Sequence, residues 1–386
     1  MKSKSKILYV QAAAERGGVE TILLNYLKGL DRERFEPHVF FTCDGPFRRE
    51  VEELGVPVPF FDCGQVREVS RTVKAIRTIA DYVQQHDIAL VHNHGDKAHF
   101  YGGFAASLAH VPAIHHLHGV PSVSFSRDGV IGLLSLLAAR EHTWAVSEAV
   151  AREFRKLPLA DQQVQVLHNG IRLPPPQASE QDWRAQYGVR PDQFLVALFA
   201  RLQRWKGIHL FIEAAAQVAK RYPDVCFWIV GGSLFGLEED YAKDCRELVV
   251  KLGLEKNLKF LGHCNQVYSV METVDVVVNA SINPDPFPTV VLEGMACGKP
   301  VIATNLGGAP EAIAAEQTGF LIPPSSEALA DSILQLVADR QRSLAMGQAG
   351  YHRYNQEFTL DKMMDSVQKM YAQMLKSSPL TQGKTR

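Results

Sequence analysis

The chain has 386 residues, which is more than one ordinary hydrophobic core accommodates and about the length of two domains. Hydrophobic residues make up 46% of the sequence and charged residues 22%, a balance typical of globular proteins. The formal net charge is only -1, whereas nucleic-acid-binding domains are strongly basic, so we expect no nucleic-acid partner.

Cysteine usage and hydropathy indicate the cellular setting. The six cysteines are scattered, and no two have the C-x-x-C spacing of a zinc or redox site, which favours a reduced core without disulfides. No apolar run is long enough to span a membrane, and residues 7–10 are too few for the apolar part of a signal peptide. We therefore predict a cytoplasmic protein, with any membrane contact made peripherally at the inner face.

Short apolar runs alternate with stretches of helical period in the first part of the chain. Apolar strands that alternate with helices predict a parallel sheet covered on both faces. The predicted strands are 7–10, 39–42, 89–92, 113–117, 143–146 and 165–167, and the predicted helices are 20–30, 69–86, 99–110 and 129–139.

The proline-rich segment 172–177 interrupts this pattern, and a second α/β series follows it. The second series predicts strands 194–200, 226–230, 258–261, 274–279, 301–304 and 320–322, and helices 208–222, 239–252, 289–297, 326–346 and 360–375. We predict a first domain over 1–171, a linker over 172–192, a second domain over 193–358, a last helix over 359–376 and a disordered tail over 377–386.

Parallel sheets bind ligands at the carboxyl ends of their strands, so the residues after each strand are the candidates for function. Gly17 and Gly18 follow the first strand and open a helix, where backbone N–H groups suit an anion. The G-x-G-x-x-G pattern of nicotinamide and flavin enzymes is absent there. The alternative is that the two glycines only make a tight turn.

Two cations follow the strand that ends near residue 200. A buried, planar Arg201 and the point charge of Lys206, five residues later, suit the two negative groups of a diphosphate. A solvated basic loop is the alternative reading of the same residues.

Two carboxylates flank a predicted helix start in the second domain. Asp285 precedes the helix, Pro288 fits its first turn, and Glu293 lies about one turn inside it. A carboxylate accepts hydrogen bonds from two neighbouring sugar hydroxyls at once, and a helix start favours phosphate. The alternatives are a turn or cap aspartate for Asp285 and a helix-dipole interaction for Glu293.

These motifs together resemble the retaining glycosyltransferases of family 4, which have the GT-B fold. The acidic-x7-Glu pattern of Asp285 and Glu293 is followed by Gly-Met-Ala-x-Gly-Lys-Pro-Val, and the resemblance spans about residues 5–375. Other pieces occur in the family's order: Gly17-Gly18-Val19-Glu20, His118-Gly119, Val146-Ser147-Glu148, His168-Asn169-Gly170-Ile171, Arg201, Lys206-Gly207, Asp275 and Ser281.

The resemblance implies two Rossmann-like parallel-sheet domains that face a cleft, with the last helix crossing back to the N-terminal domain. It also implies that Arg201 and Lys206 hold the donor diphosphate, Glu293 the ribose and Asp285 the sugar, while His118 faces the sugar and β-phosphate. The implied donor-binding set is completed by Gly17, Gly18, Gly262, His263, Phe287, Pro288, Thr289 and Val290. The family retains anomeric configuration and generally needs no metal, so we expect neither a metal nor another cofactor.

The sequence departs from the family at the proposed sugar site. Asp285 stands where the family usually has glutamate, and Pro286-Phe287-Pro288 replaces a glycine-rich stretch, so a backbone N–H is lost at Pro288. The identity of the donor sugar is therefore open. The nucleotide base is also open, and family frequency favours UDP over GDP-mannose. Arg172 also stands where many members have aspartate, and nothing in the sequence explains this change.

Two rival functions and several partner questions stay open. A nucleotide-sugar 2-epimerase of the same fold and an inactive sugar-nucleotide-binding protein are the alternatives to a hexosyltransferase.

Many of the histidines lie between His92 and His118, which makes a metal site conceivable, although a polar lining is the simpler interpretation. We expect a glycan or lipid-linked acceptor of cell-surface polysaccharide synthesis. A basic stripe of Arg67, Arg71, Lys74 and Arg77 could contact the membrane, or could be a solvated helix face.

Overall fold

A computed structural model of the protein describes residues 4–12, 17–64, 68–121, 134–136, 142–157, 160, 162–173, 181–233 and 238–377. The chain divides into two compact units. Unit 1 comprises Met1–Gly170 and Leu360–Arg386, and unit 2 comprises Ile171–Thr359.

Unit 1 contains a six-stranded, all-parallel sheet in the order β2-β1-β3-β4-β5-β6. The strands are β1 (Ser5–Gln11), β2 (Phe35–Phe41), β3 (Ile88–His94), β4 (Ala113–Leu117), β5 (Thr143–Ala145) and β6 (Gln165–Val166). The helices are α1 (Gly18–Gly29), α2 (Pro46–Glu52), α3 (Val69–Gln85), α4 (Asp96–Ala109), α5 (Glu148–Arg155) and the C-terminal α14 (Leu360–Ser377).

The continuous apolar run of β1 is explained by burial on both faces of the sheet, as the sequence indicated. Successive side chains of a strand point to opposite faces of its sheet. Ile7 and Tyr9 accordingly pack with α1 and α14, whereas Leu8 and Val10 pack with α3 and α4. Both faces are therefore apolar, and every residue from Ile7 to Val10 is buried.

Unit 2 contains a second six-stranded parallel sheet in the order β12-β11-β10-β7-β8-β9. Its strands are β7 (Leu195–Phe199), β8 (Cys226–Val230), β9 (Leu258–Gly262), β10 (Val276–Asn279), β11 (Val301–Thr304) and β12 (Gly319–Ile322). Its helices are α6 (Trp183–Gln186), α7 (Ile208–Arg221), α8 (Glu239–Lys251), α9 (Val267–Thr273), α10 (Thr289–Ala296), α11 (Ala309–Ala312), α12 (Ser326–Ala338) and α13 (Arg340–Glu357), with a 3-10 turn at Arg204–Lys206.

Several sequence predictions need correction. The single helix predicted over 326–346 is wrong, because Asp339 leaves the helical conformation and its carboxylate caps α13 by accepting from the Arg342 N–H. The short helices α2, α5, α6, α9 and α11 were not predicted. Most of the helix predicted over 129–139, and residues 378–386 of the predicted tail, lie outside the described residues.

The ends of the two units differ in detail from the predicted domain limits. Ile171 groups with unit 2, where its N–H donates to the Phe358 carbonyl at 3.1 Å. Helix α14 groups with unit 1, as the resemblance implies, and its Tyr371 hydroxyl donates to the Tyr9 hydroxyl at 3.2 Å. Part of the predicted linker is ordered structure, since Trp183 in α6 donates to the Ser269 hydroxyl at 2.9 Å.

Asp275 fastens α6 to the second sheet. Its Oδ2 accepts from the Leu195 N–H at 2.7 Å and from the Arg184 guanidinium at 2.8 Å. The side chains of Asp275 and Arg184 are only 31% and 18% exposed, so this contact is shielded from solvent on most sides. Asp275, which the sequence grouped with the family motif, therefore joins the first strand of unit 2 to the preceding segment.

All six cysteines are free, as expected. Within the described residues, no helix is both long enough and apolar enough to cross a lipid bilayer.

We predict that Asp275→Ala destabilises unit 2 by about 1–3 kcal/mol, because it leaves a largely buried guanidinium and a strand N–H without this acceptor. Asp224→Ala is the matched control, since Asp224 is 83% exposed in its ion pair with Arg190, and we expect it to cost less than about 0.5 kcal/mol. Amide hydrogen exchange of β7 and β10 measures both variants. Equal effects would contradict the role assigned to Asp275.

Candidate functional site

The loop after β7 lies directly against the end of β10. Gly207 has φ +69°, and a Cβ added there would lie 1.9 Å from the Ala280 carbonyl oxygen, so only glycine allows this approach. The Ile282 N–H donates to the Trp205 carbonyl at 2.8 Å and joins the two loops. This approach brings the Lys206 loop beside the segment that carries Asp285.

Lys206 and Asp285 form an ion pair across these two loops. The Lys206 Nζ lies 2.5 Å from Asp285 Oδ2, and the side chains are only 17% and 13% exposed. The same ammonium lies 3.8 Å from the centroid of the Trp205 ring, a cation–π contact. The sequence placed the two groups in one site but did not predict that they pair.

A glycine turn after β11 supports the backbone of Asp285. A Cβ added at Gly307, whose φ is +63°, would lie 2.0 Å from the Asp285 carbonyl oxygen. The Gly308 N–H donates to that same oxygen at 2.8 Å. Sequence reasoning missed these residues, although two adjacent glycines a few residues after a strand were a usable signal.

Helix α10 begins at Thr289, the residue predicted for its start. Pro288 is the residue before the helix and not part of its first turn. The first N–H groups of a helix have no partners within it, so the start at Thr289 and Val290 offers donors for an anion. The Phe287 ring is buried against Phe358, with ring centroids 5.9 Å apart, so its side chain has a packing role.

Glu293 lies one turn into α10, where it is partly buried. Burial raises the pKa of its carboxyl to about 7, and a hydrogen bond with the Thr289 side chain opposes the rise. No ion pair of Glu293 with a cation occurs within the described part of the chain. A partly shielded carboxyl without a cation is well suited to accept hydrogen bonds from a neutral ligand such as a sugar.

Arg201 is exposed, whereas the sequence analysis expected a buried guanidinium. Among the described residues, this guanidinium has no hydrogen-bond or ion-pair partner. Backbone bonds next to it join the loops after β7, β8 and β9: the Leu202 N–H donates to Gly232 at 3.1 Å, and the Gly231 N–H donates to Gly262 at 2.8 Å. A free cation therefore stands at the carboxyl edge of the sheet.

His263 follows Gly262 at this edge, and its side chain is exposed. Its Nε2 lies 3.0 Å from the Asn265 Oδ1, and Gly262 has φ +72°. The carboxyl edge of the second sheet thus combines two cations, a helix start and two carboxyls, which can bind an anion and several hydroxyls together.

In unit 1, Gly17 and Gly18 lie at the start of α1. The Gly17 N–H donates to the Glu20 Oε2 at 2.9 Å, and the Gln11 side chain donates to the Glu20 Oε1 at 2.7 Å. A Cβ added at Gly18 would meet no atom within 4 Å. Glu20, which the sequence listed only as part of a motif, therefore ties this helix start to the end of β1, and Gly18 is open.

His118 follows β4 and belongs to a cluster of stacked imidazoles. Its Nε2 lies 2.9 Å from the His94 Nδ1, and the two rings stack with centroids 5.1 Å apart. Burial lowers the pKa of His118 to about 3 and holds the pKa of His94 well below its usual value. The two imidazoles are therefore neutral at physiological pH.

Three histidines of this cluster place one nitrogen each within 4.8 Å of the others, namely His92, His94 and His116. Their rings lie side by side, since the planes of His92 and His94 differ by 25° and those of His92 and His116 by 22°. The planes of His94 and His116 differ by 47°, and the group of three contains no carboxylate. The expectation that the protein needs no metal stays a prediction, which a metal analysis of purified protein tests.

The proposed basic stripe on α3 is less continuous than the sequence suggested. Arg71 pairs with Asp62 at 2.5 Å and with Glu68 at 3.3 Å, and Arg67 lies outside the described residues. Lys74 and Arg77 are exposed on this helix. Within the described residues, the stripe is therefore reduced to two exposed cations without an acidic partner, Lys74 and Arg77.

We predict that Glu293→Gln stabilises unit 2 at pH 8 by on the order of 1 kcal/mol and has little effect at pH 5. A carboxyl whose pKa is higher in the folded state than in the unfolded state loses stability as pH rises from about 4.5 to 7. Glu272→Gln is the control, because that side chain is exposed. Hydrogen exchange of β10 at both pH values measures the effect, and a loss of stability at pH 8 would contradict it.

Known protein families account for both halves of the chain. Residues 179–353 match the family described as glycosyl transferases group 1, and residues 16–173 match glycosyltransferase family 4. The D-inositol 3-phosphate glycosyltransferase of Corynebacterium urealyticum is 25% identical over an alignment of 390 positions that spans 91% of this chain and 90% of the relative.

Solved structures agree with these matches. The chain is 30% identical to Anabaena HepE, crystallised in complex with UDP and glucose, with a TM-score of 0.80 over 95% of this chain and 99% of HepE. HepE has also been crystallised with UDP-glucose. A glycosyltransferase from Rickettsia africae, 23% identical, has the same fold, with a TM-score of 0.85 over 97% of this chain and all of the other.

The two all-parallel α/β units, the order of their motifs and these matches lead to one assignment. The chain belongs to the family 4 glycosyltransferases, which have the GT-B fold.

Proposed function

We propose that this glycosyltransferase moves a hexosyl group from a nucleoside-diphosphate sugar to a glycan or lipid-linked acceptor, with retention of configuration and without a metal. The observation that carries the proposal is the carboxyl edge of the second sheet, where Lys206, Asp285 and Glu293 lie on joined elements. Cell-surface polysaccharide synthesis at the inner face of the membrane is the proposed setting.

Unit 2 offers a binding group for each part of a nucleotide-sugar donor. Arg201, which has no side-chain partner among the described residues, is a cation for the diphosphate, and the start of α10 adds backbone donors. Glu293 accepts hydrogen bonds from the ribose hydroxyls, and Asp285 accepts them from the sugar. The relation to HepE, crystallised with UDP-glucose, supports a UDP-sugar over GDP-mannose as the donor.

The proposed reaction breaks the bond between the anomeric carbon and the β-phosphate oxygen. Negative charge grows on the departing diphosphate, and Arg201, Lys206 and the α10 N-terminus stabilise it electrostatically. The acceptor hydroxyl attacks from the face that the diphosphate leaves and gives its proton to a phosphate oxygen. In the free chain Lys206 is held by Asp285, so donor binding draws its ammonium toward the phosphate.

The remaining predicted residues keep their roles as proposals. The donor-binding set also includes Gly17, Gly18, Gly262, His263, Thr289 and Val290, and His118 takes part in transfer through its imidazole. Phe287 and Pro288 act by shaping the backbone before α10, because their side chains are buried.

Incubation with UDP-glucose in the absence of acceptor tests the class of reaction. We expect slow release of UDP and an unchanged sugar configuration, whereas a 2-epimerase would rearrange the sugar.

A thermal-shift screen should show the largest rise in melting temperature for the true donor. GDP-mannose and D-inositol 3-phosphate serve as the alternative donor and acceptor. No shift and no turnover with any nucleotide sugar would overturn the proposal.

We predict that Arg201→Ala and Lys206→Ala each reduce kcat by about 10²–10³-fold, because each removes a charge that stabilises the leaving diphosphate. Arg246→Ala is the control, since its guanidinium lies over the Phe260 ring, 4.7 Å from the centroid, and makes no contact with the proposed site residues. Steady-state UDP release measures all three variants. Wild-type kcat in either of the first two would refute the assigned role.

A further inference from the structure

The neighbours of His118 restrict where it can carry its proton. The His94 side chain is 1% exposed, and its Nε2 has no hydrogen-bond partner in the part of the chain that the structure describes. The rings of Tyr9 and Tyr26 flank it, with centroids 5.9 Å and 5.5 Å from that of His94. Among the described residues, the only side-chain hydrogen bond of His94 is the 2.9 Å bond between its Nδ1 and the His118 Nε2.

A neutral imidazole has one N–H donor and one bare acceptor nitrogen, so the shared bond has two possible arrangements. If His118 Nε2 donated, the proton of His94 would lie on its buried Nε2, where no described acceptor meets it. If His94 Nδ1 donates, that buried Nε2 is only a bare acceptor. Buried N–H groups without partners are rarer than unsatisfied acceptors, which favours donation by His94.

Donation by His94 fixes the tautomer of His118. Its Nε2 is then the acceptor, so its own proton lies on Nδ1. No described residue is a hydrogen-bond partner of this Nδ1, and His118 is only partly buried, whereas His94 is inaccessible. A ligand that reaches His118 therefore meets a neutral N–H donor suited to a hydroxyl or phosphate oxygen.

We propose that His94 is a positioning residue that holds His118 as its Nδ1–H tautomer and so makes it a hydrogen-bond donor to the nucleotide sugar. Stacking of the two rings, with planes only 19° apart, fixes the orientation of that donor. The inference rests on the proposed role of His118 in transfer, but its tautomeric part concerns the free protein alone.

The tautomer is tested first, on the wild-type protein without ligand. Long-range ¹H–¹⁵N NMR spectra of histidine-labelled protein distinguish Nδ1–H from Nε2–H imidazoles, with His118→Ala used to assign the signals. We expect His118 to carry its proton on Nδ1. A protonated Nε2 on His118 would overturn the proposal, whatever the donor.

The catalytic consequence is tested by UDP release from UDP-glucose. We expect His94→Phe, which keeps a stacked ring but cannot donate, to lower kcat by about 10–100-fold, with a smaller change in KM. His94→Asn should recover most of the loss, because its amide can replace the Nδ1–H donor. His92→Phe is the matched control, since it also removes a buried imidazole of β3, and its kcat should stay near wild type.

The outcomes separate this inference from the proposed function. If His118→Ala lowers kcat while His94→Phe keeps the wild-type value, His94 does not position His118 and the inference is overturned. If His118→Ala also keeps the wild-type kcat, the catalytic part is overturned while transfer itself stands. Loss of kcat in His94→Phe, with recovery in His94→Asn and the expected tautomer, supports the proposal.

Discussion

The ion pair between Lys206 and Asp285 is the contact on which the proposed donor site of unit 2 depends. It joins the loop after β7 to the loop after β10, with only 17% and 13% of the two side chains exposed. Two glycines in the left-handed region make it possible, because Gly207 lies against Ala280 and Gly307 lies against Asp285. The same contact brings together the cation proposed to bind the phosphate and the carboxylate proposed to bind the sugar.

The functional groups are held in environments that oppose their charged forms. Burial raises the pKa of Glu293 to about 7 and lowers the pKa of His118 to about 3. Each of these two groups is therefore neutral over part or all of the physiological pH range. Neither is paired with an oppositely charged side chain among the described residues, so each is available to a ligand. Such sites commonly lower stability in return for function, which is a reason to expect that neutral replacements at Glu293 stabilise the fold.

Much of the fold followed from the sequence, because alternating apolar strands and helices allow little besides parallel sheets covered on both faces. Each of the twelve predicted strands overlaps an observed strand. The local contacts within the site were not predictable, since the pairing of Lys206 with Asp285 and of His94 with His118 depends on residues far apart in the chain. The break at Asp339 was missed because a helical period continues through it, and only the capping geometry reveals it.

The central claim is that Lys206 and Glu293 hold the nucleotide while Asp285 selects the sugar. Calorimetric binding of UDP and of UDP-glucose to wild type and to Asp285→Asn tests this division most directly. The variant removes the partner that holds Lys206 in the free chain, so UDP should bind as tightly as to wild type or more tightly, while the added affinity due to glucose is lost. A collapse of UDP affinity in Asp285→Asn, with the glucose contribution unchanged, would contradict the account.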